Sequence, residues 1–189
     1  TYHNQNFLRE KPGLKKKTFT HWTPKAGVTY LITPAHSLYA NMGGGVEVPA
    51  GNETDPSNTA GQYSDTAYAF NPLLKPITSV TAEIGTKNVM LMDGLIRSMN
   101  YDVALFWIQV TNDVIPYRSG RFYMTAGKTR RFGLEVAEKI DFSDGFSLKT
   151  SATMSKNKYV KYTIDSSLIS ASSNGKLDYS HNKQAGVPD

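Results

Sequence analysis

The sequence predicts an all-β chain, an antiparallel up-and-down meander of about six long strands. Three observations carry that expectation. Apolar and polar residues alternate with period two over long runs, while helical periodicity is almost absent. The runs extend to roughly ten residues or more, about twice the strand length of ordinary soluble domains. The connections between them alternate between shorter and longer.

The first strand is expected at 22–32, where Ala26, Val28, Tyr30 and Ile32 alternate with Lys25, Gly27 and Thr29. A Thr-Pro-Ala-His turn leads to a second at 37–45, carrying Leu38, Ala40 and Met42. Gly43, Gly44 and Gly45 mark its exit into a long loop, where bulk is unwelcome and positive φ is easy. A third strand, at 79–88, sets Val80, Ala82 and Ile84 against Thr81, Glu83 and Lys87. The fourth, at 99–112, contains YDVALFWIQV (101–110), whose aromatic and β-branched bulk favours a strand. Because it is apolar on both sides, its facing stays open. The fifth, at 127–142, places Phe132, Leu134, Val136, Ile140 and Phe142 on one face and Gly133, Glu135, Ala137, Lys139 and Asp141 on the other, with Glu138 alone breaking the apolar row. The sixth, at 146–162, sets Phe146, Leu148, Thr150, Ala152 and Met154 against Ser147, Lys149, Ser151, Thr153 and Ser155. Ser143, Asp144 and Gly145 join the last two as a tight hairpin.

The connections run short at 33–36, long at 46–78, intermediate at 89–98, longer at 113–126, very short at 143–145 and long from 163 onward. In a meander this puts all shorter turns at one end and all longer loops at the other, the arrangement of transmembrane β-barrels. Strand length agrees, since an apolar band about 25 Å tall, crossed at about 45° with about 3.3 Å per residue, needs on the order of 10 residues. A soluble sheet with one wet face alternates in the same way. A soluble β-rich ligand-binding or adhesion protein is therefore the alternative reading. The two differ in whether Leu134, Val136, Leu148 and Met154 form one exposed apolar belt or meet a second packed sheet.

Composition narrows the classes. Only 39% of the 189 residues are hydrophobic and the mean hydropathy is −0.41. The longest apolar runs, VMLM at 89–92 and VALFWI at 103–108, fall far short of the roughly 18 residues of a spanning helix. A helical membrane protein is excluded; a barrel, whose strands are only half apolar, is not. With no cysteine, a disulfide framework or Cys-based zinc site is impossible. His3, His21, His36 and His181 show no ligand spacing, so neither a metal site nor a cofactor is expected. A net charge of +5 and a pI near 9.3 would suit an anionic surface. The basic residues are nevertheless spread along the chain, the run Lys15, Lys16 and Lys17 reads as a solvated loop, and no nucleic-acid partner is expected. Neither terminus resembles the boundary of a finished domain, which suggests a piece of a longer chain.

Candidate chemistry is sparse. Gly127, Lys128 and Thr129 imitate the end of a phosphate-binding loop, but the glycine required five positions earlier is Phe122, and a strand follows where a helix is needed. No Ser, His and acid set declares itself and no serine sits in a nucleophile elbow, so no catalytic residue is expected, an enzyme housed inside a barrel included. The long loop at 46–78 offers Tyr63, Asp65, Tyr68 and Phe70 as residues for ligand contact, against the plainer reading of a solvated loop. Arg130 and Arg131 belong either near a membrane's polar boundary or in a barrel lumen, and the sequence leaves that choice open.

Several motifs together resemble one family. WTPKAGVTYLITPAHSLYANMGGG is similar to paired strands with an S-P-K-A-G-like opening, a periplasmic turn and an "sLYA" strand. NPLLKPITSVTAEIGTK looks like an "NP-L-KPE-s-yE-G-K" signature, with Asn71, Pro72, Leu74, Lys75, Pro76, Glu83, Gly85 and Lys87 matching and Ile77 in place of the usual acid. ALFWIQVTNDVIPY resembles an "alF-i-v-D-I" strand, and AGKTRRFGLEV an "NaGktr-GvE" strand. In this order they are the marks of the TonB-dependent outer-membrane receptors of Gram-negative bacteria.

That resemblance implies a 22-stranded barrel with an N-terminal plug in its lumen. It also implies uptake of a scarce nutrient, commonly an iron–siderophore complex, with energy transmitted by TonB. Residues 1–189 would then be a partial barrel domain in the bacterial outer membrane, lacking the plug and the barrel C-terminus. Its partners would be the TonB complex through that plug, a small-molecule nutrient, and outer-membrane lipid. Phe132, Leu134, Val136, Ile140, Leu148 and Met154 would face the lipid. Residues 1–21 and 156–189 fit only as variable outer loops and strand ends, although QAGVP resembles the opening of a next strand. Six strands are fewer than the eight or so of the smallest barrels. An open sheet in lipid would leave two unsatisfied edges, so those edges are expected to pair with something else.

Overall fold

A computed structural model describes residues 2–7, 17–48, 75–117, 122–165 and 175–184. Every element among them is a strand: β1 (Tyr2–Phe7), β2 (Lys17–Trp22), β3 (Lys25–Thr33), β4 (His36–Glu47), β5 (Ile77–Leu91), β6 (Ile96–Tyr117), β7 (Phe122–Phe142), β8 (Ser147–Lys161), β9 (Thr163–Asp165) and β10 (Lys176–Asp178). Strands β3 to β8 form one six-stranded antiparallel sheet in strict sequence order. They correspond one by one to the six strands expected from alternation. The pairs β1–β2 and β9–β10 are separate two-stranded ladders.

Two expected loops are largely ladder. Residues 2–7 pair with 17–22, from Tyr2↔Trp22 to Phe7↔Lys17. The connection expected at 113–126 is mostly hairpin, paired from Asp113↔Ala126 to Tyr117↔Phe122. The backbone ladder continues there although the side-chain alternation stops.

The glycine triplet also lies inside β4 and not past its end. The amide of Gly44 donates to the Pro24 carbonyl at 2.8 Å. A side chain there would meet the Thr23 backbone at 3.2 Å, and one at Gly45 would strike the Ser79 hydroxyl at 2.5 Å. Close approach between strands explains these two glycines better than a loop conformation does.

Pro34–Ala35, residues 92–95 and residues 143–146 close the three short turns, all at one end of the sheet. The middle one is tighter than the expected 89–98. Neighbouring turns are tied together: Val89 N donates to Ala35 O at 2.9 Å and Ser143 N to Leu95 O at 2.9 Å. Gly145, at φ 82°, supplies the left-handed residue of the β7–β8 turn.

At the opposite end the ladder bends. Asn112 (φ 61°) and Gly127 (φ 27°) fall between the pairs Thr111↔Lys128 and Asp113↔Ala126, and the β7–β8 register shifts at Lys128/Thr129. A Cβ on Gly127 would collide with the Lys161 carbonyl oxygen, so only glycine fits. Beyond β8 the chain folds back. Tyr179 N donates to Tyr162 O at 2.7 Å, Tyr159 N to Asn182 O at 2.9 Å and Gln184 N to Asn157 O at 3.1 Å. Tyr162 packs between Tyr159 and Tyr179, with ring centroids 4.7 and 5.4 Å away.

The sheet is a single layer. Among the described residues the buried apolar side chains are Phe19, Ala104 and Tyr162, whereas Val28 (67% exposed), Ile84 (60%) and Met154 (64%) stand open. A chain of this length that packed its own core would bury far more. All nine residues of β3 and the stretch Ser147–Met154 of β8 are exposed, so both sheet edges are open.

Candidate functional site: the two faces of the sheet

Because side chains alternate along each strand, the register sorts every residue of the sheet onto one of two faces. One face is apolar. From the long-connection end its rungs run Ala26–Met42–Ala82–Trp107–Phe132, then Val28–Ala40–Ile84–Leu105–Leu134–Met154, then Tyr30–Leu38–Thr86–Val103–Val136–Ala152. Towards the short turns lie Met90–Met99–Ile140–Leu148 and, last, Ile96–Phe142. Phe132, Leu134, Val136, Ile140, Leu148 and Met154 therefore share one face, and among the described residues no second sheet covers them.

A polar rung interrupts this face: His36–Asn88–Tyr101–Glu138–Thr150. Three of its members, His36, Asn88 and Tyr101, are tied in by hydrogen bonds and a ring contact. The Thr86 hydroxyl donates to the Ser37 carbonyl at 3.1 Å, leaving its oxygen to accept from His36 Nε2 at 2.8 Å. Asn88 Nδ2 donates to the Tyr101 hydroxyl at 3.3 Å, and His36 meets the Tyr101 ring edge-on at 6.4 Å.

The opposite face is polar. The Tyr39 hydroxyl hydrogen-bonds Asp102 at 3.3 Å and also reaches Glu83. Lys87 pairs with Asp102 at 2.8 Å, its ammonium 5.3 Å from the centre of the Tyr39 ring. Each of two glycines makes room for a ring lying across it. Tyr39 covers Gly85, where an added Cβ would come within 2.5 Å of the ring, and Phe106 covers Gly133. This resolves the facing of YDVALFWIQV: Tyr101, Val103, Leu105 and Trp107 belong to the apolar face, while Ala104, Phe106, Ile108 and Val110 lie on the polar one, Phe106 with its ring over a glycine. The network was missed as a unit in the sequence. Its signal is the placement of Glu83, Gly85 and Lys87, and of Gly133 and Glu135, two residues apart on single strands.

The two arginines separate. Arg130 lies on the apolar side, opposite Gln109 and Lys158, and Arg131 on the polar side, opposite Ile108 and Asn157. At the short-turn end of the polar face, Asp141 accepts from Lys139 at 2.7 Å, Ser147 at 2.6 Å and Ser98 at 3.0 Å. These donors, the Lys139 ammonium foremost, hold its carboxyl down at about 2.

Gly127, Lys128 and Thr129 lie within β7, with Lys128 and Thr129 laddered on both sides and Thr129 buried. No loop-to-helix cradle for a phosphate exists there. Tyr63, Asp65, Tyr68 and Phe70 lie outside the described residues. The register does set His3 opposite His21, a pairing that linear spacing concealed, yet among the described residues no group of three or more His, Cys, Asp or Glu could hold a metal ion. No helix is long and apolar enough to cross a membrane, which leaves crossing by strands untouched.

An all-antiparallel meander, one layer thick, apolar on one side and ion-paired on the other, is the wall of a barrel in lipid. Comparison with protein families matches the chain over residues 1–189 to the TonB dependent receptor-like β-barrel family. The chain belongs to the TonB-dependent receptors, transporters of the outer membrane, and its six-stranded sheet is a segment of their β-barrel.

Proposed function

We propose that the chain is the central barrel segment of a receptor that captures a ferric siderophore or similar iron complex at the cell surface and imports it, driven by TonB, with no catalytic step. Family membership supplies the TonB-driven transport. The observation that carries the lipid-spanning part is the exposed apolar belt on one face of an uncovered sheet. In this reading Phe132, Leu134, Val136, Ile140, Leu148 and Met154 meet lipid, and the face bearing Tyr39, Glu83, Lys87 and Asp102 lines the lumen. Neighbouring strands of the same barrel pair the open edges of β3 and β8.

A plug domain fills that lumen and carries the contact with the TonB complex. The outer connection carrying Tyr63, Asp65, Tyr68 and Phe70 supplies aromatic and acidic groups for the ligand. The iron is cargo inside its chelate and not a resident metal of the protein.

The test is growth of a strain lacking the full receptor on one ferric siderophore at a time. Loss of growth on at least one chelate is expected, with rescue by the intact receptor and weaker rescue when Tyr63, Asp65, Tyr68 and Phe70 are all replaced by serine. Undiminished growth on every iron source, with a defect on some other nutrient, would reject iron as the cargo while keeping the transporter.

A further inference from the structure

The cations at the long-connection end of β7 and β8 are distant in sequence but adjacent in the sheet. Arg130 stands directly opposite Lys158, and Lys128 opposite Lys161. An isolated bridge places Lys183 against Lys158 from the other side. One rung nearer the middle, Lys156 is the partner of Phe132. Lys128, Arg130, Lys156, Lys158 and Lys161 are all exposed, and among the described residues none of these five has an ion-pair partner.

Like charges directly opposite one another destabilise a ladder. The contrast is Lys139 opposite Lys149 near the short turns, where Asp141 neutralises Lys139 at 2.7 Å. On this face of β7 and β8, from Phe132 to Lys128 and from Lys156 to Lys161, no carboxylate stands among the cations. An external anion is what would relieve their repulsion.

Depth says which anion. Trp107 and Phe132 form the rung immediately below, and aromatic rings of that kind favour the boundary between hydrocarbon and headgroups. Arg130 lies two residues farther along the strand, about 7 Å, or about 5 Å higher for a strand tilted by about 45°. That is headgroup height. Opposed Cβ atoms lie about 5 Å apart and same-face neighbours about 7 Å apart, close enough for one phosphate to accept from several cations.

We propose that this face of β7 and β8 binds lipid headgroups of the outer leaflet whose phosphate leaves them net anionic, clasping them between Arg130, Lys156, Lys158 and the Lys128–Lys161 pair. The proposal rests on the apolar face meeting lipid, and its test separates the two. The full receptor in detergent is mixed with phosphatidylglycerol or phosphatidylcholine, and bound lipids are counted by native mass spectrometry. Wild type is expected to retain the anionic lipid at least about fivefold better, a preference that fades as salt rises from about 0.05 to about 0.5 M. Replacing Arg130, Lys156 and Lys158 together by glutamine should bring the two lipids to parity, with Lys156→Gln and Lys158→Gln each falling between. An Arg130→Lys, Lys156→Arg, Lys158→Arg receptor should keep the preference.

An unchanged preference in the triple glutamine variant would overturn the proposal. So would displacement of the lipid by inorganic phosphate at matched ionic strength, which would mark a site for free phosphate. Equal retention of both lipids by wild type would overturn the headgroup site and spare the lipid-facing reading. Retention of neither would overturn both.

Discussion

Replacing Leu134 by arginine asks the most of the proposed orientation. Leu134 lies between Leu105 and Met154 on the apolar face, four residues along β7 from Arg130 and six from Ile140. At about 3.3 Å per residue and a tilt of about 45°, the ten residues from Arg130 to Ile140 span about 23 Å of height, close to the apolar band of about 25 Å. Leu134 then sits about 9 Å below the outer rim, near the middle of the bilayer. A cation there costs about 2–4 kcal/mol, whereas a surface substitution in a soluble protein stays within about 0.5 kcal/mol. Thr153→Arg is the control, because Thr153 pairs with Glu135 on the polar face. The assay is reversible denaturant unfolding of the full receptor in phospholipid vesicles, comparing ΔG for wild type, Leu134→Arg and Thr153→Arg. The account requires the loss at 134 to exceed that at 153 by at least about 1.5 kcal/mol, roughly a tenfold change in the folding equilibrium. Equal losses, or a larger one at 153, would refute the assignment of faces.

Three further outcomes follow from local geometry. Gly133→Ala should destabilise by about 1–3 kcal/mol, because the new Cβ meets the Phe106 ring and lies 2.6 Å from the Met154 carbonyl oxygen; Phe106→Leu should recover only part of that loss in a double-mutant cycle. Gly127→Ala should cost more than about 1 kcal/mol, since its φ of 27° and the Lys161 carbonyl leave no room for a side chain, and equilibrium unfolding should show it. Asp141, held at about 2 against an ordinary 3.8, stabilises the fold in its charged form. Its contribution is complete above about pH 4 and is lost as the pH falls through about 2, so the stability gap between wild type and Asp141→Asn should be constant from pH 7 to 5 and close towards pH 2. A gap that persists at pH 2 would deny the carboxylate that role.

The legibility of the fold tracks where the two faces meet different surroundings. The hairpin of β7 and β8 could be read residue by residue, because one face is apolar, the other polar, and Asp144–Gly145 sets the turn. Residues 2–7 and 17–22 could not, since YHNQNF and KTFTHW show no alternation of apolar and polar residues, although their ladder is intact. The facing of 101–110 was hidden by Phe106, Ile108 and Val110, apolar residues on the polar face; the room for the Phe106 ring comes from the bare backbone of Gly133, on a different strand. Arg130 and Arg131 posed a similar question, answered only by registers that put one beside Lys158 and the other beside Asn157. The basic patch was invisible for the same reason. Lys128 and Lys161 are 33 positions apart in the chain and opposite one another in the sheet.

The central claim is that one face of this sheet meets lipid and the other does not. The chain has no cysteine, so single cysteines placed along β8 from Ser147 to Lys156 in the full receptor, any others removed, can each carry a nitroxide in lipid vesicles. Collision rates with oxygen and with a water-soluble nickel chelate should then alternate with period two. Positions 148, 150, 152 and 154 are predicted to favour oxygen, and 147, 149, 151, 153 and 155 should show lower oxygen access. Flat profiles, or an alternation with the odd positions favouring oxygen, would contradict the account.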